Sequence, residues 1–229
     1  MRRDRLKLAL VDDWGDMAMA GSDNDTTRLE AFSDGVFAIA ITLLVLDIKV
    51  PTTEEASAAG LLSELLERWP NFLAFVASFF FILVMWINHH RLFKVIRRTD
   101  HNLMLLNGLL LLGVTLVPFP TALVAEYLNH PDETVAALFY NGWFLLIAIF
   151  FNLLWRYASH NNRLFTAATD KALVARISQR YTYGAPAYAL AILLALVSPL
   201  LSLLLNLLMA FFFALPTADM EQMIDEAQA

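Results

Sequence analysis

Long apolar runs, separated by loops whose charge alternates in sign, set what this chain can fold into. A bilayer core about 30 Å thick is crossed by about 20 apolar residues in a helix. Runs of about that length extend from Phe32 to Val50, Trp69 to Asn88, Leu103 to Val124 and Val135 to Tyr157. A further apolar block, Tyr181 to Leu215, holds 35 residues. As one helix it would be about 52 Å long at 1.5 Å per residue, too long for one crossing. Ser198-Pro199 interrupts it near the middle, which predicts two shorter spans joined by a tight turn. The runs are too long for barrel strands, and lipid leaves the helix as the way to satisfy their backbone groups. The predicted fold class is therefore an all-α integral membrane protein with six transmembrane helices.

The loops test that count. With both ends in the cytoplasm, the inner segments carry Arg2, Arg3, Arg5, Lys7, Arg28, Arg91, Lys94, Arg97, Arg98, Arg156, Arg163, Lys171, Arg176 and Arg180. The outer loops carry only Lys49 and Arg68, which makes 14 basic residues against 2. The outer loops hold acids instead: Glu54, Glu55, Glu64, Glu67, Glu126, Asp132 and Glu133. This is the positive-inside pattern, and a five-span arrangement would break the alternation. The expected location is the cell membrane, multi-pass, with cytoplasmic termini. The net charge of −6 averages over this segregation and says little about partners.

Three segments follow. Residues 1–27 read as a mobile cytoplasmic tail, with basic residues followed by Asp12, Asp13, Asp16, Asp23 and Asp25 and no apolar period. Residues 28–215 form the six-span membrane domain, and 216–229 a short acidic tail. In the first outer loop, Ser57 to Trp69 places Leu61, Leu62, Leu65 and Leu66 on one helical face. It reads as a short interfacial helix or a partly helical loop.

The first span differs from the others, which are apolar nearly all round. Arg28, Glu30, Asp34, Asp47 and Lys49 charge its ends, and a carboxylate at the headgroup boundary is costly unless paired. At 100° per residue, Phe32, Val36, Ile39, Leu43, Leu46 and Val50 share a face. Ser33 and Asp34 point more than 100° away, and Thr42 sits at the edge of the stripe. Periodicity leaves two readings open: a helix-packing seam with a polar anchor at its end, or a seam that lines a pore as a hydrophobic constriction.

Arg28-x-x-x-Phe32-Ser33-Asp34, running into Gly-Val-Phe-Ala-Ile-Ala-Ile-Thr-Leu-Leu-Val-Leu, resembles the opening span of the prokaryotic transmembrane protein 175 family, bacterial relatives of the endolysosomal potassium channel. Trp86-x-x-His89-x-x-x-Phe93 at the end of the second span is similar to that family, as is Asn107 followed by Val117-Pro118-Phe119-Pro120-Thr121 in the third. The resemblance covers roughly residues 28–215. It implies a potassium-conducting cation channel, with the first helix of each six-helix subunit lining the pore. The chain has one Phe-Ser-Asp and no second copy, so the implied assembly is a homotetramer with four copies of the seam about one axis. Carried over by position, Ile39 matches the narrowest hydrophobic layer, Leu43 and Leu46 match further layers, and Thr42 a polar position tied to selectivity. Arg28, Ser33, Asp34, His89 and Asn107 match a hydrogen-bonded network that positions the pore helix beside Phe32. Asn102 is a second candidate partner for it. Potassium would be the permeant ion. No cofactor, no metal and no nucleic-acid partner is expected; the partners are further copies of the chain and membrane lipids.

Other chemistry finds little support. The chain has no cysteine, which removes disulfides, thiolate zinc sites and cysteine nucleophiles. His89 and His90 are adjacent, about 100° apart on a helix, and do not form an i, i+4 metal pair. There is no Walker A sequence, nucleophile elbow or paired catalytic carboxylate set, so no enzymatic activity is expected. His90, Arg91, Lys94, Arg97 and Arg98 read as a basic headgroup-facing cluster. Asn141, Asn152 and Asn206 are candidates for interhelical hydrogen bonds. Two rivals to a channel remain. A secondary or proton-linked transporter would call for internal repeats and charged or unwound mid-membrane helices. A membrane enzyme or non-conducting scaffold would gather titratable groups, of which Asp34 and His89 are the candidate pair.

Overall fold

The computed structural model describes residues 26–165, 169 and 171–215; of the tails expected at 1–27 and 216–229, residues 1–25 and 216–229 lie outside the described residues, while Thr26 and Thr27 are already helical. The described residues are helical throughout their regular structure. Helix α1 covers residues 26–43 and tightens into a 3-10 turn at Leu44–Asp47. Then come α2 (Thr53–Ala59), α3 (Leu61–Glu67), α4 (Trp69–Val95), α5 (His101–Thr115), α6 (Pro118–Tyr127), α7 (Glu133–Ser159), α8 (Lys171–Thr182), α9 (Gly184–Ala195) and α10 (Pro199–Ala214).

Among the described residues, four helices are long and apolar enough to cross a membrane: Thr26–Leu46, Trp69–Val95, Glu133–Asn162, and α5 with α6 taken together as His101–Tyr127. They coincide with the first four apolar runs. The third bends where Pro118 and Pro120 stand. Pro118 opens α6, a position where its missing N–H is harmless. The second continues past Asn88 to Val95, so His90, Arg91 and Lys94 extend the helix.

The last apolar block divides as expected, with a difference in length. Ser198 is extended, its hydroxyl accepts from the Leu201 amide, and Pro199 opens α10. The two pieces hold only 12 and 16 residues, about 18 and 24 Å at 1.5 Å per residue. Tyr181, read from sequence as the start of the fifth span, instead lies in the last turn of α8. The chain passes through Tyr183 with its backbone still in the α region, so α8 feeds α9 across a bend rather than a loop.

Helix α7 is the hub, packing on α5, α6, α8, α9 and α10. The core is aromatic: the Phe81 and Phe144 rings meet edge-on at 5.2 Å, Tyr140 lies against Phe144 at 4.6 Å, and Trp155 is buried beside Phe165. Without a hydrophobic drive in lipid, close backbone approach and interhelical hydrogen bonds decide the packing. Gly113 supplies the approach of α5 to α7: a Cβ there would stand 2.9 Å from Ile147 Cγ1. The Trp143 indole donates to the Gly113 carbonyl at 2.9 Å. The three asparagines do bond between helices. Asn206 Nδ2 donates to Asn141 Oδ1 at 2.7 Å, Asn141 Nδ2 to Ser202 Oγ at 3.2 Å, and Asn152 Nδ2 to the Tyr181 carbonyl at 2.7 Å. These bonds hold α10 and α8 to α7.

Candidate functional site

The first helix presents two distinct faces. Ser33, Phe37, Ala40 and Leu44 are buried, at the four-three-four spacing of one helical stripe. About 110° round the axis lies the stripe expected from the sequence: Phe32 is 63% exposed, Ile39 59%, Leu43 43% and Leu46 71%. Val36 is half-buried at its edge. Thr42 is exposed and its hydroxyl donates back to the Ile39 carbonyl at 2.9 Å. The 3-10 turn keeps the stripe straight, since residues three apart eclipse at three residues per turn. Leu46 therefore sits directly beyond Leu43.

The buried face is held by a directional hydrogen-bonded chain. The Ser33 hydroxyl donates to the Leu29 carbonyl at 2.8 Å and accepts from Asn107 Nδ2 at 2.9 Å. With its amide nitrogen used, Asn107 turns Oδ1 to His89 Nε2 at 2.8 Å. An amide oxygen only accepts, so the hydrogen between them belongs to His89 Nε2. His89 Nδ1 then has no hydrogen-bond partner among the described residues. The imidazole is enclosed by Phe37, at 5.3 Å between ring centroids, and by Phe93 stacked at 4.5 Å. Three helices, α1, α4 and α5, are thus joined through three fully or nearly fully buried polar side chains.

Asp34 takes a different partner. Its Oδ1 accepts from the Trp86 indole at 2.7 Å. Trp86 stacks on His90, whose Nδ1 lies 2.7 Å from Glu30 Oε1. Glu30 and Asp34 are one turn apart on α1 and meet Trp86 and His90, one turn apart on α4. Sequence reasoning missed this second set of contacts, although both i, i+4 pairs were legible in it. Arg28 is exposed, and none of the hydrogen bonds that build the two sets among the described residues involves it. Asn102 donates to the Tyr157 hydroxyl at 3.2 Å instead and is not part of the network.

Outside the spans, a separate latch joins the α4–α5 link to α7. Asp100 caps α5 by accepting from the Leu103 amide at 2.9 Å, and it accepts from the Tyr157 hydroxyl at 2.7 Å. Arg163 stands 3.8 Å away. Partial burial pushes the Asp100 carboxyl up, but these hydrogen bonds and the guanidinium outweigh it and hold the group below its ordinary range. Of the basic cluster, His90 faces Glu30, and Arg91 reaches the Ala214 carbonyl at the C-terminus of α10.

The loop after α1 forms α2 and α3, hinged at Gly60, whose φ of 88° is a glycine conformation. Thr52 and Glu55 make a capping box. Arg68 ties the loop together through Glu55 at 3.0 Å and the Lys49 carbonyl at 3.2 Å. Leu61, Leu62, Leu65 and Leu66 are all exposed on α3. Among the described residues, no group of His, Asp or Glu is arranged to hold a metal ion.

Apolar helices of membrane length, joined through buried polar side chains, define a multi-pass membrane protein. The family model described as endosomal/lysosomal potassium channel TMEM175 matches residues 28–118, which include α1 from Arg28 onward and the whole Ser33–Asn107–His89 chain. A potassium channel of Chamaesiphon minutus is 52% identical over 87% of this chain and 98% of its own length. A potassium channel of Streptomyces collinus is 42% identical over 74% of this chain and 82% of its own. A crystal structure of a lysosomal potassium-selective channel TMEM175 homologue from Chamaesiphon minutus superposes with a TM-score of 0.76, covering 83% of this chain and 97% of that one at 52% identity. The chain belongs to the TMEM175 family.

Proposed function

We propose that this protein is a potassium channel, a homotetramer of six-span subunits in which α1 lines the pore. Potassium conduction rests on family membership and on the names its close relatives bear. The single observation that supports α1 as the pore helix is its division of labour. Ser33, Phe37, Ala40 and Leu44 fasten it to its own subunit, while Ile39, Leu43 and Leu46 remain uncovered by the described residues. Ala31, Gly35 and Ala38 are exposed beside that stripe, and small residues let neighbouring helices approach closely. The shorter fifth and sixth spans would be α9, prolonged by α8, and α10. Both termini would face the cytoplasm on the charge distribution alone.

In this reading Ile39 forms the constriction, with Leu43 and Leu46 as further apolar layers. A ring of isoleucines offers no oxygen to replace an ion's water. Apolar narrowing gates by dewetting, and selectivity rests on dehydration cost together with the Thr42 ring, which gives a modest preference for potassium over sodium. The test is flux from liposomes under a set potassium or sodium gradient. Wild type is expected to pass potassium faster than sodium, and Ile39→Asn to lose much of that preference. Folded tetramers that pass neither ion, in wild type and variant alike, would refute the pore reading and leave a carrier or scaffold.

A further inference from the structure

Contacts from α4 hold α1 at both of its ends. At the N-terminal end the Trp86 indole holds Asp34, and His89 holds Ser33 through Asn107. At the C-terminal end the contact comes from Arg68, which stands where α3 passes into α4. Its carbonyl accepts from the Asn71 and Phe72 amides at 3.0 and 3.4 Å, so the residue is built onto the first turn of a spanning helix. Its side chain reaches back to the end of α1, where Nη1 donates to the Lys49 carbonyl at 3.2 Å. Among the described residues, no other hydrogen bond reaches Lys49, Val50 or Pro51.

The same guanidinium is braced on its other side. Nη2 donates to Glu55 Oε2 at 3.0 Å, and Glu64 Oε2 lies 3.8 Å away. Glu55 Oε2 also accepts from the Thr52 amide at 2.7 Å and from its hydroxyl at 3.0 Å. The Thr52 amide and hydroxyl, with the Arg68 guanidinium, hold the Glu55 carboxyl below its ordinary range, so the brace stays charged. No residue of α2 or α3 is buried, and polar contacts rather than packing keep this loop in place. An arginine suits the position because its planar fork donates in two directions at once, whereas a lysine ammonium is a point charge on a flexible stem. A cation is also favoured at the C-terminal end of a helix, where the last carbonyls lack partners.

We propose that Arg68 is a positioning residue for conduction: it fixes the C-terminal end of α1, and with it the Leu46 layer at that mouth of the pore. The role in conduction rests on the reading of α1 as the pore helix; the tether itself does not. Leu46 is 71% exposed and Val50 84% exposed. Four such apolar ends about one axis, released from their tethers, would draw together to exclude water and narrow the mouth. Ile39 lies about two turns back and Thr42 about one, on the stretch fastened by the buried Phe37, Ala40 and Leu44. Loss of the tether should therefore lower the flux and leave the preference for potassium over sodium unchanged.

The experiment pairs flux with a probe of the tether that needs no conduction. The chain has no cysteine, so Val50→Cys carries a single nitroxide label at the end of α1, and Val135→Cys carries one at the exposed start of α7 as the control. In Arg68→Gln the Val50 label should shift from a restricted to a mobile spectrum, while the Val135 label holds. Unlabelled Arg68→Gln in liposomes should pass potassium about three- to tenfold more slowly than wild type, at the wild-type ratio of potassium to sodium. Arg68→Lys should lie between the two. Should Arg68→Gln not fold, Glu55→Gln keeps the cap on α2 but removes the charge that braces the guanidinium, and should shift both readouts in the same direction. A Val50 spectrum unchanged in Arg68→Gln would overturn the tether. A mobile Val50 label with wild-type flux would overturn the positioning role and leave the pore reading standing. Wild type that passes no potassium would refute the pore reading and the role in conduction with it, while the spectra still decide the tether.

Discussion

The Trp86 indole nitrogen donates to the Asp34 carboxylate at 2.7 Å, tying the start of the first helix to the second half of α4. The carboxylate is half-buried, and Trp86 also stacks on His90. A buried acceptor that loses its donor bears a desolvation cost of about 1–3 kcal/mol. Trp86→Phe should therefore lower stability by about that amount, while Asp34→Asn, which keeps Oδ1 as an acceptor, should lose less. Denaturant melts of both variants in the same detergent check the order. Equal stability of Trp86→Phe and wild type would show that the bond contributes nothing.

Asn107 is the link on which the other polar contact depends, because it satisfies Ser33 and His89 at once. Asn107→Leu keeps the volume but leaves the His89 Nε2–H without an acceptor. The expected loss is about 1–3 kcal/mol. Ser33→Ala and Asn107→Leu should be strongly non-additive, since they break a shared chain. Asn102→Leu, at an exposed position whose side chain among the described residues bonds Tyr157, should stay within about 0.5 kcal/mol of wild type. A double-mutant cycle measured by thermal unfolding checks all three, and simple additivity would contradict the shared chain.

Helical periodicity carries some of this from sequence and no more. Hydropathy and loop charge place the first four spanning helices, and Pro118 and Ser198-Pro199 mark real breaks. The lengths of the last helices escape it: Tyr181 and the residues after it are apolar enough to extend a span, yet the bend at Tyr183 is set by tertiary packing on α7. The faces of α1 follow from 100° per residue, so Ser33 and Ile39 fall on separate sides as expected. What periodicity cannot provide is pairing between helices. Asp34 meets Trp86 rather than His89, and Arg28 stays outside, because the rotation and rise of α4 relative to α1 are fixed by side-chain packing and not by either sequence alone.

The Asp100 latch has a definite pH dependence. Its carboxyl titrates lower in the folded protein than its ordinary value of 3.8. A group of that kind contributes stability that is fully present above the unfolded value. The contribution is lost as pH falls through the folded value. Between pH 7 and pH 5 the latch should therefore be indifferent to acid, and below about pH 4 its contribution should decline. Asp100→Asn retains the cap on α5 through its side-chain oxygen but cannot titrate. Unfolding midpoints taken from pH 6 to pH 3 should fall more steeply for wild type than for Asp100→Asn, and parallel slopes would remove Asp100 from the acid response.

Gly113 offers a test in which the sign itself changes. A methyl group there would meet Ile147 Cγ1 at 2.9 Å, and Ile147 is buried and stiff at χ1. Gly113→Ala should therefore force α5 away from α7 and cost about 1–3 kcal/mol, as overpacking does. Ile147→Ala removes the obstructing atom and is itself destabilising, by about 2–5 kcal/mol for the cavity it leaves. In that background the added methyl meets Phe150 Cδ2 at an ordinary contact distance of 3.6 Å, and alanine is favoured over glycine within a helix by about 1 kcal/mol. Gly113→Ala should then be neutral or stabilising. Thermal unfolding of the two single variants and the double variant measures the coupling. A penalty for Gly113→Ala that persists in the Ile147→Ala background would mean that close approach to Ile147 is not what requires glycine at this crossing.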